Sequence, residues 1–163
     1  LADLPLEWHL IGPLQSNKTR EVAEHFDWVH SLDRDKIARR LSEQRPAGLP
    51  PLQVCLQVNI DDEASKSGCM PADLSGLVRA VLEMPRLQLR GLMCIPRPGN
   101  TEALVALAKT RQDLLASIPG LEAATFDTLS MGMSEDLEAA VLAGSTMVRV
   151  GTAIFGARDA GAA

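Results

Sequence analysis

The chain contains no tyrosine, and only two tryptophans and three phenylalanines occur among its 163 residues. Few aromatic rings are therefore available to stack on nucleic-acid bases. The formal net charge of −5 likewise disfavours binding to a phosphate backbone. No apolar run is long enough to cross a bilayer. These shortages predict a protein whose partners include neither nucleic acid nor a membrane.

Cysteine is also scarce. Cys55, Cys69 and Cys94 form no Cys-x-x-Cys pair and no spacing typical of a metal site. Cys55 and Cys94 fall in apolar strand patterns, so we expect reduced core thiols there. This usage fits a reducing compartment, and it predicts a cytoplasmic protein without a bound metal.

What the sequence does contain is a regular alternation of strand and helix patterns. The predicted strands cover residues 8–12, 27–32, 54–60, 87–95, 128–133 and 147–150. The near-continuous apolar run at 54–60 is typical of a parallel strand that is buried on both faces. His9 and His30 lie inside strand patterns, where we expect core histidines. About six βα units result, which indicates the α/β class.

A closed (β/α)8 barrel needs eight such units and typically ~250 residues. We therefore interpret the chain as one domain, residues 1–163, with the fold of a TIM barrel from which the first two βα units are absent. An open, doubly wound sheet of six strands is the alternative. Against it, no glycine-rich dinucleotide fingerprint follows the first strand.

The last two predicted strands have the pattern of a phosphate site. Gly132 allows a turn after the first of them, and Ser134 can N-cap a helix that Gly144 ends. The second strand runs directly into Gly151 and Thr152. Backbone N–H groups at a helix start and at a glycine turn attract anions. The alternative is that Ser134 is an ordinary cap and the glycines are ordinary turn residues.

Several short motifs carry a resemblance to a known family. They are LSMGMS at 129–134, EAA at 138–140, GSTMVR at 144–149, GTAIFG at 151–156, and upstream WHLIG at 8–12, LQSNK at 14–18, VN at 58–59, SKSG at 65–68 and RGLM at 90–93. In this order they resemble the pyridoxal phosphate homeostasis protein family. Those proteins look like the barrel domain of alanine racemase without its second domain.

The resemblance implies a site for pyridoxal 5'-phosphate (PLP). Ser134, Gly151 and Thr152 would bind the phosphate, which needs several converging donors. Arg149 would contact the pyridine nitrogen, and its permanent charge would leave that nitrogen unprotonated and the ring a weak electron sink. A structural ion pair across the barrel mouth is the alternative role for Arg149.

Three further positions bear on the cofactor. Asn59 could face the ring or cap a strand end, and Met131 could pack near the ring or belong to the core. In the family, the lysine that forms the Schiff base ends the first barrel strand, so we expect it upstream of Leu1. Among the lysines present, Lys66 lies in a loop on the side of the phosphate site, where it could reach an aldehyde or simply be exposed.

These implications favour a PLP carrier or buffer in vitamin B6 homeostasis over an enzyme, with apo forms of PLP enzymes as recipients. We expect a monomer or a homodimer. The alternative is a PLP-dependent amino acid racemase. Two-sided proton transfer needs a second base opposite the lysine, and the chain lacks the tyrosine that racemases use. A third possibility is a barrel that binds another phosphorylated metabolite.

Overall fold

The computed structural model describes residues 4–61 and 67–156. Five strands form one sheet: β1 (His9–Leu10), β2 (Trp28–Leu32), β3 (Leu52–Gln57), β4 (Leu87–Met93) and β5 (Thr128–Ser130). The helices are α1 (Thr19–His25), α2 (Asp35–Gln44), α3 (Pro71–Leu82), α4 (Glu102–Ser117), α5 (Leu137–Leu142) and α6 (Thr152–Phe155), and a 3-10 turn (Ser16–Lys18) precedes α1.

The sheet is parallel, and its strands pair in chain order from β1 to β5. Each of the four crossovers between neighbouring strands contains at least one helix. Sequential parallel pairing with a helix in every crossover is the arrangement of successive units in a (β/α)8 barrel. An open doubly wound sheet would instead reverse its strand order at a switch point.

Both faces of the sheet are buried, as the apolar runs predict. Val54 and Leu56 of β3 belong to the large core between the sheet and the helices. Cys55, between them, faces the other way and packs with Trp28 and Met93 in a smaller cluster. Alternate residues of a strand point to opposite faces, so this smaller cluster marks the interior of the curved sheet.

The predicted strand at 147–150 is not a regular strand. Met147 forms a single bridge with Ser130, although the Arg149 N–H still donates to the Gly132 carbonyl at 2.9 Å. The Ser145 hydroxyl accounts for part of the difference, because it donates its one hydrogen to the Met131 carbonyl at 2.6 Å. The segment therefore lies along β5 without forming a full ladder.

The expected N-cap at Ser134 is wrong. Asp136 stands at the N-cap of α5, and its Oδ1 accepts a hydrogen bond from the Met133 N–H at 2.6 Å. The helix ends as predicted before Gly144, which has a φ of 96° and so uses the conformational freedom of glycine. Since Asp136 holds the loop, the Ser134 hydroxyl is not needed as a cap.

None of the helices within residues 4–61 and 67–156 is both long and apolar enough to span a membrane.

Candidate functional site

A cavity of about 1010 Å³ opens at the carboxyl ends of the strands. The loops after β1, β3, β4 and β5 all contribute to its wall, and Thr152 of α6 completes it. Ligand sites of parallel α/β barrels lie at this end of the sheet, because the loops that follow the strands converge there. The cavity is therefore the candidate site.

Ser134 and Thr152 meet at this cavity. Their hydroxyl oxygens lie 3.4 Å apart, and both side chains are exposed to it. Gly151 is the N-cap of α6, so the first N–H groups of that helix have no acceptor within it. Two hydroxyls beside a helix start supply the donors that a phosphate group requires, so the residues present fit the phosphate of PLP.

Charges of both signs border the cavity. Arg97 lines it together with Glu135, Asp136 and Glu138. The carboxylate of Asp136 is engaged by the Met133 N–H. Glu135 and Asp136 directly follow Ser134, so the side of the cavity that carries the hydroxyls also carries negative charge.

Arg149 reaches across the carboxyl end of the sheet. Its Nη1 donates to Ser130 Oγ at 2.9 Å, and its Nη2 donates to the Cys94 carbonyl at 2.9 Å. Within the part of the chain that the structure describes, Arg149 forms hydrogen bonds but no ion pair. Burial lowers its pKa from the ordinary value, but an arginine remains charged. Arg149 is not among the residues that line the cavity, so its charge lies behind the wall, where it contacts Ser130 and the Cys94 carbonyl.

Asn59 and Met131 are buried behind the cavity rather than on its wall. The Asn59 side chain points to the sulfur of Met70 at 3.7 Å, and its backbone N–H donates to the Cys69 carbonyl at 2.9 Å. Met131 belongs to the core between sheet and helices. Lys66 lies outside the described residues.

Sequence reasoning missed a polar line inside the curved sheet. Ser130 Oγ lies 2.7 Å from His30 Nδ1, and His30 Nε2 lies 2.8 Å from His9 Nδ1. Burial, together with His9 and Arg149, lowers the pKa of His30 to about 4, so its ring is neutral near pH 7. Both histidines have hydrogen-bond partners, but only His30 is buried as a core histidine, whereas His9 is half-buried. The sequence does not show which residues of β1, β2 and β5 lie side by side. It therefore could not show that His9, His30 and Ser130 line up with Arg149.

Packed rings and charges also lie on the inner face of the sheet. The ring of His9 stacks on Trp28 with centroids 5.3 Å apart, and the Arg90 guanidinium lies 4.8 Å from the Trp28 ring. Arg90 also bonds Asp127 at 2.7 Å. These contacts tie β1, β2 and β4 together on the inner face of the sheet.

Comparison with known sequences gives close relatives. The chain is 65% identical over 164 residues to the pyridoxal phosphate homeostasis protein of Pseudomonas aeruginosa, covering 99% of this chain and 69% of that protein. It is 60% identical to the protein of the same name from Escherichia coli K12, covering 94% of this chain and 66% of that protein. The chain thus spans about two thirds of the length of these relatives.

Comparison with solved structures also gives related proteins. PipY of Synechococcus elongatus PCC7942 with PLP bound superposes with a TM-score of 0.84 at 37% identity, over 95% of this chain and 73% of that one. Alanine racemase of Clostridium difficile shares the fold, with a TM-score of 0.74 at 13% identity, over 95% of this chain and 41% of that one.

The family described as "Alanine racemase, N-terminal domain" matches residues 2–159. Together with the parallel sheet in chain order, this match confirms the predicted barrel of the alanine racemase type. The chain therefore belongs to the alanine racemase N-terminal domain family, and within it to the group of the pyridoxal phosphate homeostasis proteins.

Proposed function

We propose that the protein binds PLP in the cavity at the carboxyl ends of its strands and serves as a carrier or buffer in PLP homeostasis. The observation that carries this proposal is the pair of hydroxyls, Ser134 Oγ and Thr152 Oγ1, which lie 3.4 Å apart at the start of α6. The PLP bound to PipY, at 37% identity, supports the same ligand here.

The phosphate group of PLP is held by Ser134, Gly151 and Thr152. The two side chains donate hydroxyl hydrogens, and the backbone around Gly151 donates N–H groups at the helix start. All of these groups are neutral, so the dianion is held by hydrogen bonds rather than by an ion pair. Such charge-assisted bonds are roughly twice as strong as bonds between neutral groups.

The pyridine nitrogen of PLP is contacted by Arg149. When bound, PLP supplies an aldehyde that condenses with amines and a ring that withdraws electrons. Arg149 can only donate a hydrogen bond to the pyridine nitrogen, so that nitrogen stays unprotonated. An unprotonated ring withdraws electrons weakly, and this favours storage and delivery of the cofactor over carbanion chemistry.

Asn59 and Met131 support the cofactor site from positions beneath the cavity wall. Asn59 fixes the turn after β3 through its bond to Cys69, and Met131 packs the strand that leads into the Ser134 loop. Both residues therefore maintain the shape of the site.

The recipients of the cofactor are apo forms of PLP enzymes in the cytoplasm, and the carrier works there as a monomer or a homodimer. The absence of a membrane-spanning helix among the described residues is compatible with this location. Transfer to an added apoenzyme, followed by recovery of that enzyme's activity, measures delivery directly.

The binding test is a titration with PLP, pyridoxal and inorganic phosphate, followed by absorption and by protein fluorescence. We expect PLP to bind most tightly, and the double variant S134A/T152V to lose selectivity for PLP over pyridoxal. Thr125→Val, at an exposed loop away from the cavity, is the matched control.

Two results would count against the proposal. If other phosphorylated metabolites without a pyridine ring bind as tightly as PLP, the barrel serves a different ligand. If PLP-loaded protein converts L-alanine into its enantiomer, the racemase alternative replaces the carrier.

A further inference from the structure

A line of hydrogen bonds runs from Arg149 into the interior of the curved sheet. Arg149 Nη1 lies 2.9 Å from Ser130 Oγ, and Ser130 Oγ lies 2.7 Å from His30 Nδ1. His30 Nε2 then lies 2.8 Å from His9 Nδ1. The line thus joins the segment after α5 to β5, β2 and β1 in turn.

The direction of each hydrogen bond follows from the chemistry of the groups. An arginine side chain can only donate, so Ser130 Oγ accepts from Arg149. The Ser130 hydroxyl has one hydrogen to donate, and within residues 4–61 and 67–156 the remaining partner of its oxygen is His30 Nδ1. Donation to Nδ1 satisfies this hydrogen, whereas the reverse direction would leave it buried without an acceptor.

This assignment fixes the tautomers of both histidines. His30 Nδ1 accepts, so the neutral ring carries its hydrogen on Nε2 and donates it to His9 Nδ1. His9 then carries its hydrogen on Nε2, away from His30. Every donor along the line points from Arg149 toward His9, and aligned hydrogen bonds of this kind strengthen one another.

We propose that Ser130 and His30 are positioning residues, which hold the Arg149 guanidinium at the pyridine nitrogen of the cofactor through a one-way chain of donors ending at His9. The inference rests on the proposed PLP site, because it concerns how Arg149 is held there. Neither Ser130 nor His30 touches the ligand.

The arrangement keeps a single positive charge next to the ring. His30 is fully buried, and its neighbours His9 and Arg149 disfavour a second cation. A neutral His30 can accept from Ser130, and Ser130 in turn accepts from Arg149. With Nη2 held by the Cys94 carbonyl as well, the guanidinium is fixed at two nitrogens, and its other N–H groups remain for a ligand.

Packing alone does not require polar side chains in the interior of the sheet. Ser130 and His30 are each 0% exposed, and burying polar groups is unfavourable unless each finds a partner. Apolar residues of similar volume would fill the same space without such a network. The line therefore points to a role at the site, which a ligand-dependent measurement can separate from a structural role.

The test compares four variants of the whole chain: Ser130→Ala, His30→Leu, His30→Asn and the control Ser42→Ala. Ser42 is a buried serine of α2 outside the line. Nitrogen-15 shifts of the imidazoles, measured without PLP, report the tautomer of His30. Titration with PLP reports its affinity and the absorption band of the bound ring. Circular dichroism confirms that each variant is folded.

We expect His30 to carry its hydrogen on Nε2 in the parent protein. Ser130→Ala and His30→Leu should weaken PLP binding by roughly tenfold, because one charge-assisted hydrogen bond of Arg149 is lost or misdirected. Both should also shift the absorption band. His30→Asn should restore most of the affinity, since its amide oxygen can accept from Ser130. Ser42→Ala should change neither quantity.

The experiment distinguishes failure of the positioning role from failure of the proposed function. If the parent protein binds PLP and folded Ser130→Ala matches it in affinity and absorption, or if His30 carries its hydrogen on Nδ1, the positioning role is wrong. If the parent protein binds PLP no more tightly than inorganic phosphate, the proposed function fails and the inference falls with it.

Discussion

Arg90, in the middle of β4, clamps that strand to Asp127, which directly precedes β5. Arg90 Nη2 lies 2.9 and 2.7 Å from the two carboxylate oxygens of Asp127, and its Nε lies 3.1 Å from one of them. The same guanidinium covers the ring of Trp28. One arginine therefore connects β2, β4 and the start of β5.

The substitution Asp127→Asn should destabilise the protein modestly. The two side chains are 26% and 42% exposed, so solvent screens the pair and the expected loss is about 1 kcal/mol. Hydrogen bonds from Arg90 lower the pKa of Asp127, so this stabilisation is present at neutral pH and is lost as the pH falls below the ordinary carboxyl range. Urea unfolding at several pH values measures both effects.

The matched control for Asp127 is Asp113→Asn. Asp113 forms a helical ion pair with Lys109 at 2.6 Å, with both side chains well exposed. Such pairs contribute only a few tenths of a kcal/mol. An equal loss in both variants would show that the clamp adds nothing beyond an ordinary surface pair.

His30 should make stability depend on pH on the acid side of neutrality. Its pKa is about 4 in the folded protein and near its ordinary value when unfolded, so between these values the unfolded chain binds the extra proton. The free energy of unfolding therefore falls as the pH is lowered through this window, by up to about 3 kcal/mol. Urea midpoints measured across the window test this.

His30→Asn should flatten that pH dependence, because an amide does not titrate. The control is Ser42→Ala, which removes no titratable group and should leave the slope unchanged. A parent protein whose stability is constant across the window would contradict the low pKa of His30.

Gly91→Ala should prevent stable folding. A Cβ at Gly91 would lie 1.7 Å from the Thr128 carbonyl oxygen of the neighbouring strand, so β4 and β5 would have to separate. We expect a loss of more than about 3 kcal/mol, at the severe end of single substitutions. The yield of folded protein and its thermal midpoint measure the loss.

Gly76→Ala provides the opposite control. Gly76 lies within α3, and a Cβ there meets no atom within 4 Å. Alanine in a helix is favoured over glycine by about 0.5–1 kcal/mol, so this variant should be slightly more stable. Similar losses at both glycines would argue against close packing of β4 on β5.

Arg149→Lys should weaken PLP binding despite keeping the charge. A lysine ammonium cannot reproduce the planar fork that bonds Ser130 Oγ and the Cys94 carbonyl together. We expect a loss of roughly tenfold in affinity, measured by absorption. Arg20→Lys, at an exposed position of α1, should leave the affinity unchanged. Equal binding by Arg149→Lys would remove Arg149 from the site.

The alternation of apolar segments with helical patterns was enough to predict the α/β class and the order of most elements. Predicted strands at 27–32 and 87–95 correspond to β2 and β4 with small changes at their ends. The segment at 147–150 was wrong as a strand, because the Ser145 hydroxyl bonds the Met131 carbonyl and the Arg149 N–H donates to Gly132 instead. A single hydroxyl of this kind leaves no trace in hydrophobic periodicity.

The candidate site was predicted in part. The motif at 129–134 and the Gly151-Thr152 pair indicated a phosphate site, and the structure brings Ser134 and Thr152 within 3.4 Å. It also shows that Asp136, rather than Ser134, occupies the cap position. Local pattern could not decide between two polar residues in one loop, since serine and aspartate are both favoured at an N-cap.

By itself, the sequence determined the α/β class, the buried parallel strands and the family, because periodicity and short motifs are local properties of the chain. Only the tertiary structure decided that Arg149, Ser130, His30 and His9 form one continuous line. These residues are far apart in sequence, and their contact depends on the register between strands. That register is set by the packing of the whole sheet against its helices, which no single segment encodes.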